Sequence, residues 1–528
     1  MTGGSAKAWR KNGVRTKFQI GWILTALWLG GLGASHLLTA AKPSPPAIRH
    51  VLLISVDGLH ALDLANFIKS EPKSALAQLS GMGVTYTQAF TSKPSNSFPG
   101  LIGMLTGGSP TSTGIWYEGT YARSLSPPGS NCATKGTEVV WDSSIDKDRK
   151  AVDGGGIDPS KLPLDPAKGC VAVYPHNYLR VNTIFEVVHG AGMRTAWCDK
   201  HPSYEMVKGP SGRGVDDLFT PELAASGANR DLQAAKAFDD LKVRAVLNEI
   251  DGKDSTGLKP APVPAHFGLS LQQISVAQKM ASGGYSDGAG TPSAALLEAL
   301  RHADQSIGEL LQALRTRGLA DATLIIVTAK HGESPIDPRI HRIIPDSILL
   351  GIINQTHPGV LGLAYQDGDI ASIWLKDQSQ TSAVVRTLNL PQNQSAAHIQ
   401  EVLSGESLKL MFNDPLQDDR IPDIVLIPHL GGIYLEEDSK FISEHGGFND
   451  QDTNVALIVA NPRLSARVIK TPVQTTQIAP TILKALGLNA SALQAVQREG
   501  TSVLPGGPLD SPPSAPKRAR APGGSAFR

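Results

Sequence analysis

A chain of 528 residues with 41% hydrophobic and 18% charged residues carries apolar material for one large core or two ordinary ones, which excludes a disordered or fibrous class. Its formal net charge of +1 lacks the clustered excess of Lys and Arg that duplex nucleic acid or an anionic membrane surface demands, so neither is an expected partner. A globular enzyme is the default reading.

The N-terminus carries an address. Lys7, Arg10, Lys11, Arg15 and Lys17 precede an apolar run over 20–41, and Pro43, Pro45 and Pro46 follow it. Basic flank, apolar stretch and small residues at 39–41 fit a cleaved export signal. At about 22 residues, roughly 33 Å as a helix, the run is also long enough to stay in a membrane as an anchor. Cleavage is the preferred reading, and both place the rest of the chain in a periplasmic or extracellular setting. Residues 1–47 are set apart as this segment and its linker.

Beyond it, strands alternate with helices, the signature of α/β layering around a mostly parallel sheet. A strand over 51–56 runs into Asp57-Gly58, and Pro99 then marks the first turn of a helix, with Ser97 at or next to its N-cap. Residues 119–180, rich in Gly, Pro, Ser and Asp, predict an irregular surface excursion. Three cysteines leave one disulfide and one free thiol in an exported chain, with Cys132 and Cys170 the preferred pair and Cys198 a small buried hydrophobe.

A strand over 194–197 leads into Asp199, Lys200 and His201. This cluster reads first as a solvated surface loop, and second, through Asp199 and His201, as a ligand-binding or replacement metal-binding group. Leucines and alanines at steps of three and four predict a helix over 292–317, followed by a strand over 323–328 that ends in Lys330-His331-Gly332. A small strand and helix insertion over about 345–415 is expected to form a cap. Strands over 424–427 and 456–460 and a helix over 477–486 follow, then a disordered Pro- and Gly-rich tail over 501–528. The hydrolase domain is placed at 48–500. Ligands of parallel sheets bind beyond the carboxyl ends of the strands, so Asp57, Lys330 and His331 point to the site.

The ordered set Val56-Asp57-Gly58, Ser97-Phe98-Pro99, Lys330-His331-Gly332, Glu444-His445-Gly446 and Thr475 to Gly487 resembles the alkaline phosphatase superfamily, and within it the type I phosphodiesterase/nucleotide pyrophosphatase branch. The resemblance implies an alkaline-phosphatase-like α/β core with helices on both sheet faces, and a phosphoric ester hydrolase acting on small phosphorylated substrates. It further implies Ser97 as nucleophile, and Asp57, Ser97, His331 and His445 as metal ligands. Three departures stand out. Lys330 replaces a carboxylate, the segment from Leu271 to Lys279 lacks the family's acid and histidine, and Gly100 stands where an asparagine often helps hold the phosphoryl oxygen.

One divalent ion, zinc by preference, is therefore expected rather than two, with Lys330 supplying the missing charge or deprotonating Ser97. Gly100, Tyr117, Asp199 and His201 are candidate substrate contacts, with at least one of Trp116, Tyr117 and Tyr121 expected to be ordinary packing. The alternatives are a non-catalytic binding protein on the same fold, or a sulfatase or phosphonate hydrolase. Leu101, where sulfatases carry arginine, counts against the last. The oligomeric state is left open.

Overall fold

A computed structural model describes residues 48–506; the expected export segment and the tail from 507 lie outside the described residues. Among the described residues, no helix is long and apolar enough to cross a membrane.

The His50–Val56 strand is central because every side chain on it after His50 is buried, and its alternation serves two cores at once. Val51 and Leu53 face one hydrophobic cluster, while Leu52, Ile54 and Val56 face the other. Only a strand covered by helices on both faces reads as such an unbroken apolar run. It pairs in parallel with His266–Leu271 on one side and Thr323–Thr328 on the other. Thr195–Cys198 and then Asp217–Phe219 extend the sheet beyond His266–Leu271, also in parallel. On the far side Leu457–Ala460 runs antiparallel, followed by Gly83–Tyr86 and Arg467–Ile469.

The Ala294–Thr316 helix buries Leu296, Leu300, Ala303, Ile307, Leu310, Leu311 and Leu314, the stripe its spacing predicts, and Ser293 caps it by accepting from the Leu296 amide. The opposite face is covered by Ser97–Thr106 and Ile478–Ala485.

A second, antiparallel sheet of Leu361–Gln366, Ala371–Leu375, Ile424–Pro428 and Ile399–Ser404 forms the cap. Ile424–Pro428 is thus a cap strand, so the cap reaches well past 415. The excursion over 119–180 is built of two short hairpins and 3-10 turns, closed by the Cys132–Cys170 disulfide. Cys198 is buried, and burial pushes its thiol far up, as expected of an inert core cysteine. The ordered chain also runs beyond residue 500. Leu504 is buried with its amide on the Thr481 hydroxyl, and Tyr86 donates to the Pro505 carbonyl.

Candidate active site

Three parallel strand ends and one antiparallel strand beginning deliver the polar residues to one edge. Asp57 follows His50–Val56, Asp199 and Lys200 follow Thr195–Cys198, and Lys330 and His331 follow Thr323–Thr328. Glu444 and His445 precede their strand because Leu457–Ala460 runs the other way.

Ser97 opens the Ser97–Thr106 helix, with Asn96 as the cap, its side chain accepting from the Phe98 amide at 3.2 Å. The serine hydroxyl is therefore freed from capping and sits at the positive end of the helix dipole. Its Oγ lies 3.2 Å from His331 Nε2 and accepts from Lys200 Nζ, also at 3.2 Å. The His331 Nδ1 is 2.9 Å from the Gly332 carbonyl and 3.8 Å from Glu333 Oε1, so the ring bridges Ser97 on its Nε2 side and Glu333 on its Nδ1 side.

Asp57 is fully buried, with Lys330 Nζ at 3.6 Å, His331 Nε2 at 3.7 Å and Lys200 Nζ at 3.8 Å from its Oδ2. Burial alone would favour the neutral acid, but Lys330, then His331 and Lys200, outweigh it and hold the carboxyl far below the usual range. Burial lowers the Lys200 ammonium, with Asp57 opposing and Lys330 reinforcing. It lowers His331 too, against the pull of Asp57.

Lys330 is wholly buried; its ammonium donates to Asp199 Oδ1 at 2.8 Å and lies 4.5 Å from the centre of the Tyr204 ring. The lysine touching Ser97 is thus Lys200, not Lys330. The segment expected as a solvated loop is packed inside. Asp199 accepts from Trp197 Nε1 at 3.0 Å and from the Lys200 amide, while His201 sits against Phe98 and Tyr204. Asp199 and His201 therefore shape the site from within rather than meeting substrate. Tyr117 is buried as well, its hydroxyl donating to the Asp367 carbonyl at 2.6 Å, and a Cβ on Gly446 would lie 1.7 Å from that oxygen. It packs the site rather than stacking on a ligand. Gly100 contributes a close approach: a Cβ there would stand 2.0 Å from the Lys330 carbonyl oxygen.

A second group adjoins the first. His331, Glu333 and His445 present ligand atoms all within 4.8 Å of one another, and the His331 and His445 rings are 3.7 Å apart. Glu333 Oε2 and His445 Nδ1 are buried with no hydrogen-bond partner. Burial pushes the Glu333 acid up to about 8, with Lys279 4.0 Å away as its nearest ammonium. Lys279 in turn binds Glu444 at 2.7 Å and Ser275 donates to Glu333. Both come from the segment where the sequence shows no metal ligand.

Sequence reasoning passed over Glu333, although it lies two residues beyond His331, and took Lys200 as a member of a polar cluster with no role of its own. Asp57, Ser97, Lys330, His331 and His445 come together at one sheet edge, through the Asp57 contacts with Lys330 and His331, the Ser97 contact with His331 and the His331–His445 ring contact.

The family profile "Type I phosphodiesterase / nucleotide pyrophosphatase" matches residues 51–449. The chain belongs to this family. No curated protein matches it by sequence. Among solved structures it is similar to an inactive form of murine ectonucleotide pyrophosphatase/phosphodiesterase 5 in complex with AMP, at 14% identity and a TM-score of 0.56, covering 84% of this chain and 96% of that one. The human counterpart gives 15% identity and a TM-score of 0.53, over 83% and 95%. The alkaline phosphatase PafA gives 11% and 0.56, over 85% and 97%. At these identities the likeness is one of fold.

The family is metal-dependent, and the two halves of this site suit a cation differently. The trio of His331, Glu333 and His445 fits one, since its donor set is that of zinc and two of its buried atoms lack a partner. The Asp57–Ser97 half does not. A divalent ion there would share the space around Asp57 with two ammonium groups, Lys200 and Lys330, whose like charge opposes it. Of the residues expected as ligands, His331 and His445 belong to the trio that could hold a cation, and Glu333 joins them.

Proposed function

We propose that this chain is an exported hydrolase of phosphodiester or pyrophosphate bonds in small phosphorylated substrates, with Ser97 as nucleophile and one divalent ion, zinc by preference, on His331, Glu333 and His445. The observation that carries the reading is the placement of Ser97 Oγ at a helix N-terminus, 3.2 Å from both Lys200 Nζ and His331 Nε2. A serine hydroxyl needs such company, because it is a weak nucleophile until its proton is withdrawn and its oxygen's charge is met. When bound, the ion would supply Lewis-acid charge beside the serine.

The chain's own residues do the rest. Ser97 Oγ bonds to phosphorus as the bond to the leaving oxygen breaks with its electron pair, and the serine proton ends on that departing oxygen. Water then attacks the serine ester from the vacated side, its oxygen going to phosphorus and one of its protons to Ser97 Oγ, which restores the hydroxyl. The Ser97–Thr106 helix dipole and Lys200 face the transferring phosphoryl oxygens, while the second sheet packs through Trp374 in one cluster with Trp116, Phe412 and Phe448. Export is supported by the basic and apolar N-terminal pattern and by the disulfide.

The test is release of nitrophenol from bis(4-nitrophenyl) phosphate by the purified full chain, with Ser97→Ala beside it. Release that disappears in Ser97→Ala, together with a nitrophenylphosphoryl ester on Ser97 trapped by acid quench, is expected. Failure to release product over several divalent metals and pH values would leave a binding protein on this fold.

A further inference from the structure

The metal position beside the nucleophile is occupied by the chain itself. Asp57 and Ser97 are both buried, yet neither lacks a cation: Lys200 Nζ reaches Ser97 Oγ at 3.2 Å and Asp57 Oδ2 at 3.8 Å, and Lys330 Nζ reaches Asp57 Oδ2 at 3.6 Å. The two ammonium groups are held differently. Lys330 is locked, with Asp199 at 2.8 Å and the Tyr204 ring beneath it, and has no exposed surface. The Lys200 side chain keeps 13% exposure, so it is the less enclosed of the two. Its backbone is fixed all the same, since its amide is bound by the Asp199 carboxylate at 2.9 Å.

An ammonium in this position can do part of a metal's work. It offers positive charge and three directed donors, enough to hold the serine oxygen and a phosphoryl oxygen together through the transition state. It cannot gather ligands, so the carboxylate of Asp57 is left to orient the two lysines rather than to chelate.

We propose that Lys200 is the built-in second cation of this centre, a catalytic residue contacting Ser97 and the transferring phosphoryl group, with Lys330 as the positioning residue that holds Asp57 and, through Asp199, the Lys200 backbone. The enzyme is then a hybrid, with one metal half and one lysine half. The proposal rests on Ser97 being the nucleophile. It extends that reading by assigning the charge that meets the nucleophile to a side chain rather than an ion.

Three measurements on the purified full chain decide it: metal content by mass spectrometry, hydrolysis of bis(4-nitrophenyl) phosphate, and thermal melting. Wild type is expected to hold no more than one equivalent of divalent metal after equilibration with excess zinc and removal of loosely bound ion. Lys200→Ala is expected to lose at least 100-fold in kcat with KM changed less than threefold and metal content unchanged. Lys200→Arg recovers part of the loss by keeping the charge. Added methylamine restores turnover to Lys200→Ala in a saturable manner, which a purely structural lysine would not allow.

Two equivalents of metal in wild type, or a Lys200→Ala enzyme within tenfold of wild type, overturns the proposal. The metal count decides even if Lys200→Ala melts early. Should Ser97→Ala keep wild-type turnover, the nucleophile assignment itself falls, an outcome distinct from any result at Lys200.

Discussion

Gly100→Ala should disable this enzyme although it adds a single methyl group to a helix. The Cβ would lie 2.0 Å from the Lys330 carbonyl oxygen, 2.8 Å from its carbon and 3.1 Å from its Cα. Ordinary contact with the oxygen requires about 1.3 Å more, and all three obstacles are backbone. Nor can the Lys330 carbonyl retreat freely, for Thr91 Oγ1 donates to it at 2.7 Å. The Ser97–Thr106 helix must therefore shift against the strand end that carries Lys330 and His331, at a cost of about 1–3 kcal/mol for overpacking. Since a misplacement of about 1 Å at a reacting centre costs on the order of 100-fold in rate, kcat should fall at least that far while melting drops only a few degrees. Paired melting curves and nitrophenyl phosphodiester kinetics measure both. An alanine variant with wild-type kcat would refute the close approach of Gly100 to the Lys330 carbonyl.

Asp199→Asn and Lys330→Met should be coupled, because either change alone leaves a buried charge without its partner. Single losses of about 3–5 kcal/mol are expected, with the double variant recovering much of the sum; additivity within about 0.5 kcal/mol in denaturant unfolding would sink the pairing. His266 predicts acid lability. Burial beside Phe185 pushes the imidazole from 6.5 down to about 3, with the Val51 backbone opposing. A depressed histidine stabilises the fold above its unfolded pKa, and that stability drains as pH falls from 6.5 toward 3. At about 1.4 kcal/mol per pH unit the ceiling is about 5 kcal/mol. His266→Leu should flatten the melting profile between pH 6.5 and 4, and parallel profiles for the two proteins would contradict the assignment.

The architecture was legible where a residue's role follows from its neighbours in the chain. The run from Val51 to Val56 is apolar at every position, apart from Ser55, because both sheet faces are covered, and the leucine stripe of Ala294–Thr316 follows from helical period alone. Asp57, Ser97, His331 and His445 stand out because each borders such an element. Lys200 does not, since its importance is a contact with a residue 103 positions earlier, set by how the loop after Thr195–Cys198 folds inward over the sheet edge. That inward course depends on Asp199 finding Trp197 Nε1 and Lys330 as partners, and a charged tripeptide with partners elsewhere looks in sequence like one dissolved in water. Lys330 was legible as a departure from the family, but its tether to Asp199 was not, and so its role was placed one residue too close to the chemistry.

Charge explains why the two halves of the centre diverged together. Lys200 and Lys330 both lie within 4 Å of Asp57, whereas Lys279 is the ammonium beside Glu333 and Glu444. Burial, set against Lys279, pushes the Glu333 acid up to about 8, so a cation that reaches it gains a carboxylate as the proton leaves. A divalent ion beside Asp57 would instead have Lys200 and Lys330 among its nearest neighbours. Replacing one lysine by a neutral residue therefore does not make room for a metal. Vacating both Lys200 and Lys330 would come closer, and a Lys200→Asn, Lys330→Asp chain that takes up a second equivalent of zinc would show that the ammonium pair, rather than the backbone, is what excludes the ion.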